Sequence, residues 1–255
     1  MIDVIEGNTP VQVWQSACEF LIKRGADNKY SKNNLLLGVK DCCGTFSDKD
    51  VTIYHEVNSF LMDHGSRNLE TISNTIFPAS YYTTNFNRKE LFEKYPRDME
   101  KIIEGWGSYA MRMMHRKDEN GAIYNPLEKI IDKILTLPKY GKCHELGLLP
   151  FDADIQIYDP RQDRKRYYGG QCLSHISIKV INSDKINLTA VYRNHYYIER
   201  LLGNLIGLSK LLGFIAKETN LEVGDLIIHS TSAVLDSDRW KVKEVKDLIA
   251  GFATN

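Results

Sequence analysis

Apolar positions recur at helical spacing through the first half of the chain and alternate through much of the second. Between residues 9 and 24, Val11, Trp14, Ala17, Cys18 and Leu21 share a helix face, with Thr9 suited to cap it, Pro10 to its first position and Gly25 to its stop. The spacing returns over 50–63 (Ile53, Val57, Phe60, Leu61), 88–104 and 125–137, where Asn125 and Pro126 precede Leu127, Ile130, Ile131, Ile134 and Leu135. Then the period changes to two. Residues 155–158, 176–180 and 186–192 alternate as strands do, and 181–185 join the last two as a hairpin. A helix over 198–218 follows, with Leu201, Leu202, Leu205, Leu208, Leu211, Leu212 and Ile215 forming a wide apolar face. The turn at 220–225 leads into a further strand at Leu226-Ile227-Ile228. Helices precede strands instead of alternating with them, so the pattern predicts a mixed α+β fold and not a doubly wound one. No repeat or Pro/Gly-rich linker interrupts it, and a single domain over 1–255 is expected.

Composition narrows the partners. Thirty-three basic residues balance thirty-three acidic ones, which argues against general nucleic-acid binding but leaves room for a local anion site. No apolar run approaches the roughly 20 residues that span a bilayer, and the polar, acidic start predicts no signal peptide. Five cysteines form an odd set without a CxxC pair, which suits reduced thiols and a cytoplasmic protein. Cys143-His144 and Cys42-Cys43 lack the spacing of a tetrahedral ligand set, so no metal site is expected.

Cys172 is the candidate nucleophile. It follows Gly169-Gly170-Gln171 at the head of one strand, and Arg193 closes the next. A hairpin would set both at one end, where a guanidinium lowers a thiol pKa. The plainer alternative is a cysteine serving as a small buried hydrophobe. Pairing of Cys172 with His175 is disfavoured, because positions i and i+3 of a strand face opposite sides. Gly203-Asn204 opens the long apolar helix, and Asn204 offers both a donor and an acceptor. The aromatic run Tyr192–Tyr197 could stack a flat ring, and Asn74–Pro78 could wall the same pocket.

The order Cys172, Arg193, Asn204 and Leu221-Glu222-Val223-Gly224-Asp225 resembles the core of the thymidylate synthases. Upstream, the resemblance extends to His55-Glu56 in a helix with Phe60-Leu61, to Tyr109 in Gly107-Ser108-Tyr109, and to the helix at 125–135. It implies a thymidylate synthase-like α+β fold and a homodimer with sheets packed back to back. It further implies one-carbon transfer to C5 of a pyrimidine nucleotide or nucleoside, with methylenetetrahydrofolate as donor. By this resemblance Cys172 adds to C6 of the base, Glu56 relays protons, Tyr109 assists near C5, Asn204 reads the base and Arg193 partners the thiolate and an anion. Asn194 is a further substrate contact. The faces Ile176/Ile178/Val180 and Leu188/Ala190 suit either a dimer interface or a monomer core.

The chain also departs from the family pattern. Phe151-Asp152-Ala153-Asp154 stands where synthases carry paired arginines that bind phosphate, and Tyr196 stands at the folate-contacting aspartate. Val234 and Asp236 lie near the ribose-binding positions, Leu173 replaces a histidine, and the family's terminal closing segment has no counterpart. Altered phosphate and folate contacts follow, with Tyr196 as the cofactor-side candidate. Arg161, Arg164, Lys165 and Arg166, just before Cys172, are candidates for a rearranged phosphate clamp; a solvated charged loop would carry the same residues. Two function classes are therefore expected: a C5-modifying transferase, or a nucleotide- or partner-binding homologue without turnover.

Overall fold

The computed structural model describes residues 2–25, 27, 29–83, 87–102, 107–136, 144–146, 155–159, 163, 170–182, 184–236 and 240–252. Strand β1 (Asp3–Gly7) leads into α1 (Pro10–Arg24), and β2 (Ser31–Val39) returns parallel to β1. Helices α2 (Asp48–Asp63), α3 (Leu69–Asn74), α4 (Ala79–Thr83), α5 (Arg88–Met99) and α6 (Tyr109–Met114) follow. A two-stranded ribbon, β3 (Arg116–Lys117) with β4 (Ile123–Tyr124), precedes α7 (Pro126–Thr136). The remainder holds β5 (His144–Leu146), β6 (Ile155–Gln156), β7 (Leu173–Ile181), β8 (Lys185–Tyr192) and β9 (His195–Tyr196). One π-helical turn, Tyr197–Leu201, leads into α8 (Leu202–Thr219), β10 (Glu222–Val234) and α9 (Val242–Gly251).

The main sheet runs β1-β2-β10-β8-β7-β5, with β6 on β7 and β9 on β10. It is mixed: β10 is antiparallel to β2 and parallel to β8, while β7 and β8 form an antiparallel hairpin. The α+β class therefore holds, although β1 and β2 were absent from the sequence pattern. β1 is half-exposed or exposed along its whole length and β2 opens with the polar run Ser31-Lys32-Asn33-Asn34, so neither shows a clean alternation.

Alternation in β8 and β10 sorts the two faces. Ile186, Leu188, Ala190, Leu226 and Ile228 are fully buried, whereas Asn187, Thr189, Val191, Ile227 and His229 are only half-covered. The buried face meets α1 and α8, which pack over β1–β2 and over β8–β10. Ile176, Ile178, Leu188 and Ala190 thus belong to the core of a single chain, and any back-to-back sheet contact would use the opposite face.

Local chemistry fixes the ends that matter for the site. Thr9 Oγ1 accepts Gln12 N–H at 3.2 Å, Pro10 takes the first position of α1, and Gly25 stops it at φ 73°. In α8, a Cβ on Gly207 would lie 2.7 Å from the Ser73 carbonyl, and one on Gly203 would lie 2.5 Å from Ile72 Cγ2. These two glycines let the backbone of α3 lie directly against α8, which brings Asn74 and Asn204 to a common wall. Among the described residues, no helix is long and apolar enough to cross a membrane.

Candidate active site

A cleft of about 900 Å³ opens between the α3–α6 segment and the region from Gly170 to Asn204. Cys172, Tyr109 and Asn204 all line it, together with Asn194 and Tyr196. The β7–β8 hairpin places Cys172 and Arg193 at the same end, and Arg193 N–H donates to the Cys172 carbonyl at 2.9 Å. Arg193 Nε also donates to the Gln171 carbonyl at 2.9 Å, so its guanidinium is tied to the backbone just before the thiol and is not part of the cleft lining.

Tyr109 is the hub of the opposite wall. Ser108 caps α6 by accepting Met111 N–H at 3.1 Å, and Ala110 N–H donates to the Thr75 carbonyl at 2.9 Å. The phenol oxygen then accepts Cys172 N–H at 3.1 Å and Leu173 N–H at 3.4 Å. Burial pushes the Tyr109 pKa to about 12, so it acts as a neutral phenol at ordinary pH. The Asn74–Pro78 segment supplies Asn74, Thr75 and Pro78 to the same wall.

The thiol is half-buried, and its environment pulls in two directions. Burial raises the Cys172 pKa, the positive charges of Arg193 and Arg200 lower it, and burial wins. Arg200 lines the cleft from the π-helical turn, 3.2 Å from Glu199 Oε1. Glu199 is itself 6% exposed, lines the cleft and accepts Ser66 O–H at 3.0 Å. Arg67, exposed between α2 and α3, contributes a second guanidinium to the lining.

Glu56 is placed elsewhere. It sits mid-way along α2 with an exposed side chain, and it does not line the cleft. On α2 it is Ile53, Val57 and Leu61 that face the core, and Glu56 points away from it. Arg161, Arg164 and Arg166 lie outside the described residues, as does 151–154. Tyr196 lines the cleft at 39% exposure, and Tyr81 on α4 lines it too.

Behind Cys172 lies a second polar cluster that sequence reasoning missed. Arg112 on α6 grips Asp163 with two bonds of 2.6 and 2.9 Å and also donates to the Ile157 carbonyl at 2.6 Å. Asp163 further accepts Gln171 Nε2–H at 2.6 Å and Asp159 N–H at 2.9 Å. Burial would raise the Asp163 pKa, but the bonds from Arg112, Asp159 and Gln171 bring it below the usual carboxylate value. Through Gln171, this cluster holds the turn that carries the thiol.

No protein-family profile matches the chain. Over 167 residues it is 24% identical to a protein of Methanosarcina mazei named "Putative thymidylate synthase", covering 64% of this chain and 69% of that protein. A protein of Methanococcoides burtonii with the same name is 35% identical over 66 residues, 26% of this chain and 30% of its own length. Among solved structures, the thymidylate synthase of T4 phage superposes with a TM-score of 0.50 at 16% identity, over 92% of this chain and 79% of that one. The architecture is thus a thymidylate synthase-like α+β fold. In sequence, the chain is distantly similar to proteins that carry the name putative thymidylate synthase.

Proposed function

We propose that the cleft binds a pyrimidine nucleotide and modifies its C5 position by one-carbon transfer. The observation that carries this reading is the convergence of Cys172, Tyr109 and Asn204 on one cleft, from three separate parts of the chain. Cys172 Sγ adds as thiolate to ring C6, the electron pair moves to C5 and O4, and C5 becomes the nucleophile. Arg193 and Arg200 oppose the burial that keeps the thiol protonated. Asn204 meets the polar edge of the base, and Tyr109 stands beside the reacting carbons as a neutral hydroxyl. Glu199, the one carboxylate among the described residues that lines the cleft, takes the proton-relay role expected of Glu56. Arg200 and Arg67 supply the positive charge for a phosphate.

Methylenetetrahydrofolate is the donor this reading implies, and it supplies the one-carbon unit at the aldehyde oxidation level. The exposed ring of Tyr196 and the half-buried ring of Tyr81 offer aromatic surface to a flat heterocycle at the rim. Tyr196 offers a phenol where the family carries a carboxylate, so Tyr196 holds the donor by its ring. Assembly as a homodimer would use the half-covered sheet face of Val191, Ile227 and His229. The free thiols of Cys18, Cys42, Cys43 and Cys172 suit action in the cytoplasm.

One observation favours binding without turnover: burial leaves the Cys172 thiol above its ordinary pKa. Exchange of the C5 hydrogen for solvent separates the two readings, because it needs the thiol adduct but no donor. The wild-type protein is expected to exchange the C5 hydrogen of a uridine or cytidine nucleotide, and Cys172→Ala to lower the rate at least about 1,000-fold. Nucleotide-induced thermal stabilisation that survives Cys172→Ala, with no exchange in the wild type, would establish the binding reading instead.

A further inference from the structure

Asn204 is 4% exposed, yet its amide borders the cleft, and its Nδ2 lies 3.0 Å from His195 Nε2. His195 is 1% exposed and stacks face to face on Tyr192, with ring centroids 4.0 Å apart and planes 5° from parallel. Its Nδ1 lies 3.0 Å from Ser230 Oγ, which also accepts the Tyr197 O–H at 3.1 Å. Four side chains from α8, β9, β10 and the π-helical turn thus form one chain that ends at the cleft.

Burial drives the His195 pKa down to about 3, so the imidazole is neutral and carries one donor and one acceptor. With Asn204 N–H facing Nε2, that nitrogen accepts, and the proton resides on Nδ1 and points to Ser230. Turning the amide over would set its oxygen against a lone pair unless the imidazole proton moved to Nε2 at the same time. The orientation of the amide and the tautomer of His195 are therefore one variable.

That variable decides what the amide can read. Uracil presents N3–H as donor and O4 as acceptor; cytosine presents N3 as acceptor and N4–H₂ as donor. The two edges have opposite order, so an amide free to turn pairs with either, and a held amide pairs with one and opposes the other. We infer that His195 is a specificity-determining residue, which makes the cleft discriminate between uracil and cytosine by holding the Asn204 amide in one orientation. The inference rests on the proposed reading that the cleft takes a pyrimidine base.

Ser230→Ala and Tyr197→Phe change the relay from behind, since neither side chain lines the cleft. Affinities of dUMP, UMP, dCMP and CMP, measured calorimetrically, are expected to favour one base by at least about tenfold in the wild type. Ser230→Ala should reduce that ratio at least threefold, chiefly by improving binding of the disfavoured base, and Tyr197→Phe should act in the same direction more weakly. Nitrogen NMR of the wild-type imidazole is a second measure that needs no variant, with a single neutral tautomer expected. An unchanged ratio in Ser230→Ala, equal binding of both bases by the wild type, or two equally populated tautomers would each overturn the inference. Binding of none of the four nucleotides would overturn the pyrimidine reading itself, and the inference with it.

Discussion

Two sets of polar side chains lie around Cys172, and they are built to opposite ends. In the Arg112–Asp163–Gln171 cluster, each partner is another part of the same chain, and none of the three side chains lines the cleft. On the cleft side, the pairs His195–Asn204 and Glu199–Arg200 all line the cleft, while His195 is held from behind by Ser230 and Glu199 by Ser66. Both are rich in charge and in hydrogen bonds. Composition alone does not tell a clamp from a site; what tells them apart is whether polar atoms border open space.

The clamp should fail as a clamp. Removing one partner of a buried ion pair strands the other charge, which typically costs about 3–5 kcal/mol. Arg112→Met is therefore expected to lose about that much in denaturant unfolding, and Arg112→Met with Asp163→Leu to recover only part of it, because Gln171, the Asp159 N–H and the Ile157 carbonyl lose their partners. A single-variant loss below about 1 kcal/mol would break the distinction from one side.

The site should fail as a site. Glu199→Gln keeps the shape of the side chain and an oxygen for Ser66, while removing the negative charge. Its C5 exchange rate is expected to fall by about 10–100-fold with stability little changed. Equal loss of stability and activity would move Glu199 into the clamp class.

How far these clusters were legible in the sequence follows from local geometry. Thr9, Pro10 and Gly25 bound α1 as their chemistry requires, and the alternation of 176–180 and 186–192 located the hairpin that joins Cys172 to Arg193. Glu199 and Arg200 were hidden because the wider π-helical turn breaks the helical spacing that made residues 198–218 look like one continuous helix. Arg67 lies between helices without a motif. Asp163 sits among charges that resemble a solvated loop, and only its partner 51 positions earlier reveals its burial. Glu56 was identified by likeness of its helix, but the face it occupies depends on how α2 packs, and a likeness of order and spacing does not carry that.

The two titratable anchors of the site add a pH test. Asp236 caps the π-helical turn by accepting Ile198 and Glu199 N–H at 2.9 Å each, and burial raises its pKa to about 7. A raised carboxylate contributes stability that is full below pH 3.8 and lost as pH climbs to about 7. His195, lowered from 6.5 to about 3, has the opposite sign: its contribution is full above pH 6.5 and lost on acidification toward 3. The two slopes oppose each other between about pH 4 and 6.5, so wild-type stability should be nearly flat there. Asp236→Asn should expose the slope of His195, with stability falling on acidification by up to about 1.4 kcal/mol per pH unit. A variant profile as flat as the wild type would mean that the site is not anchored by this pair.

The smallest expected effect is the sharpest test of where the proton relay lies. Glu56 is solvent-exposed on α2 and outside the cleft, so Glu56→Gln should change C5 exchange by less than about twofold and stability by less than about 0.5 kcal/mol. The contrast with Glu199→Gln carries the weight, because both substitutions remove one carboxylate charge at constant size. If Glu56→Gln instead abolishes exchange while Glu199→Gln is silent, α2 must swing its exposed face into the cleft when nucleotide binds. The relay would then be assembled by the ligand instead of standing in the cleft beforehand. In that case the Ser66–Glu199–Arg200 bonds would be a second clamp, and the boundary between clamp and site would run through the π-helical turn.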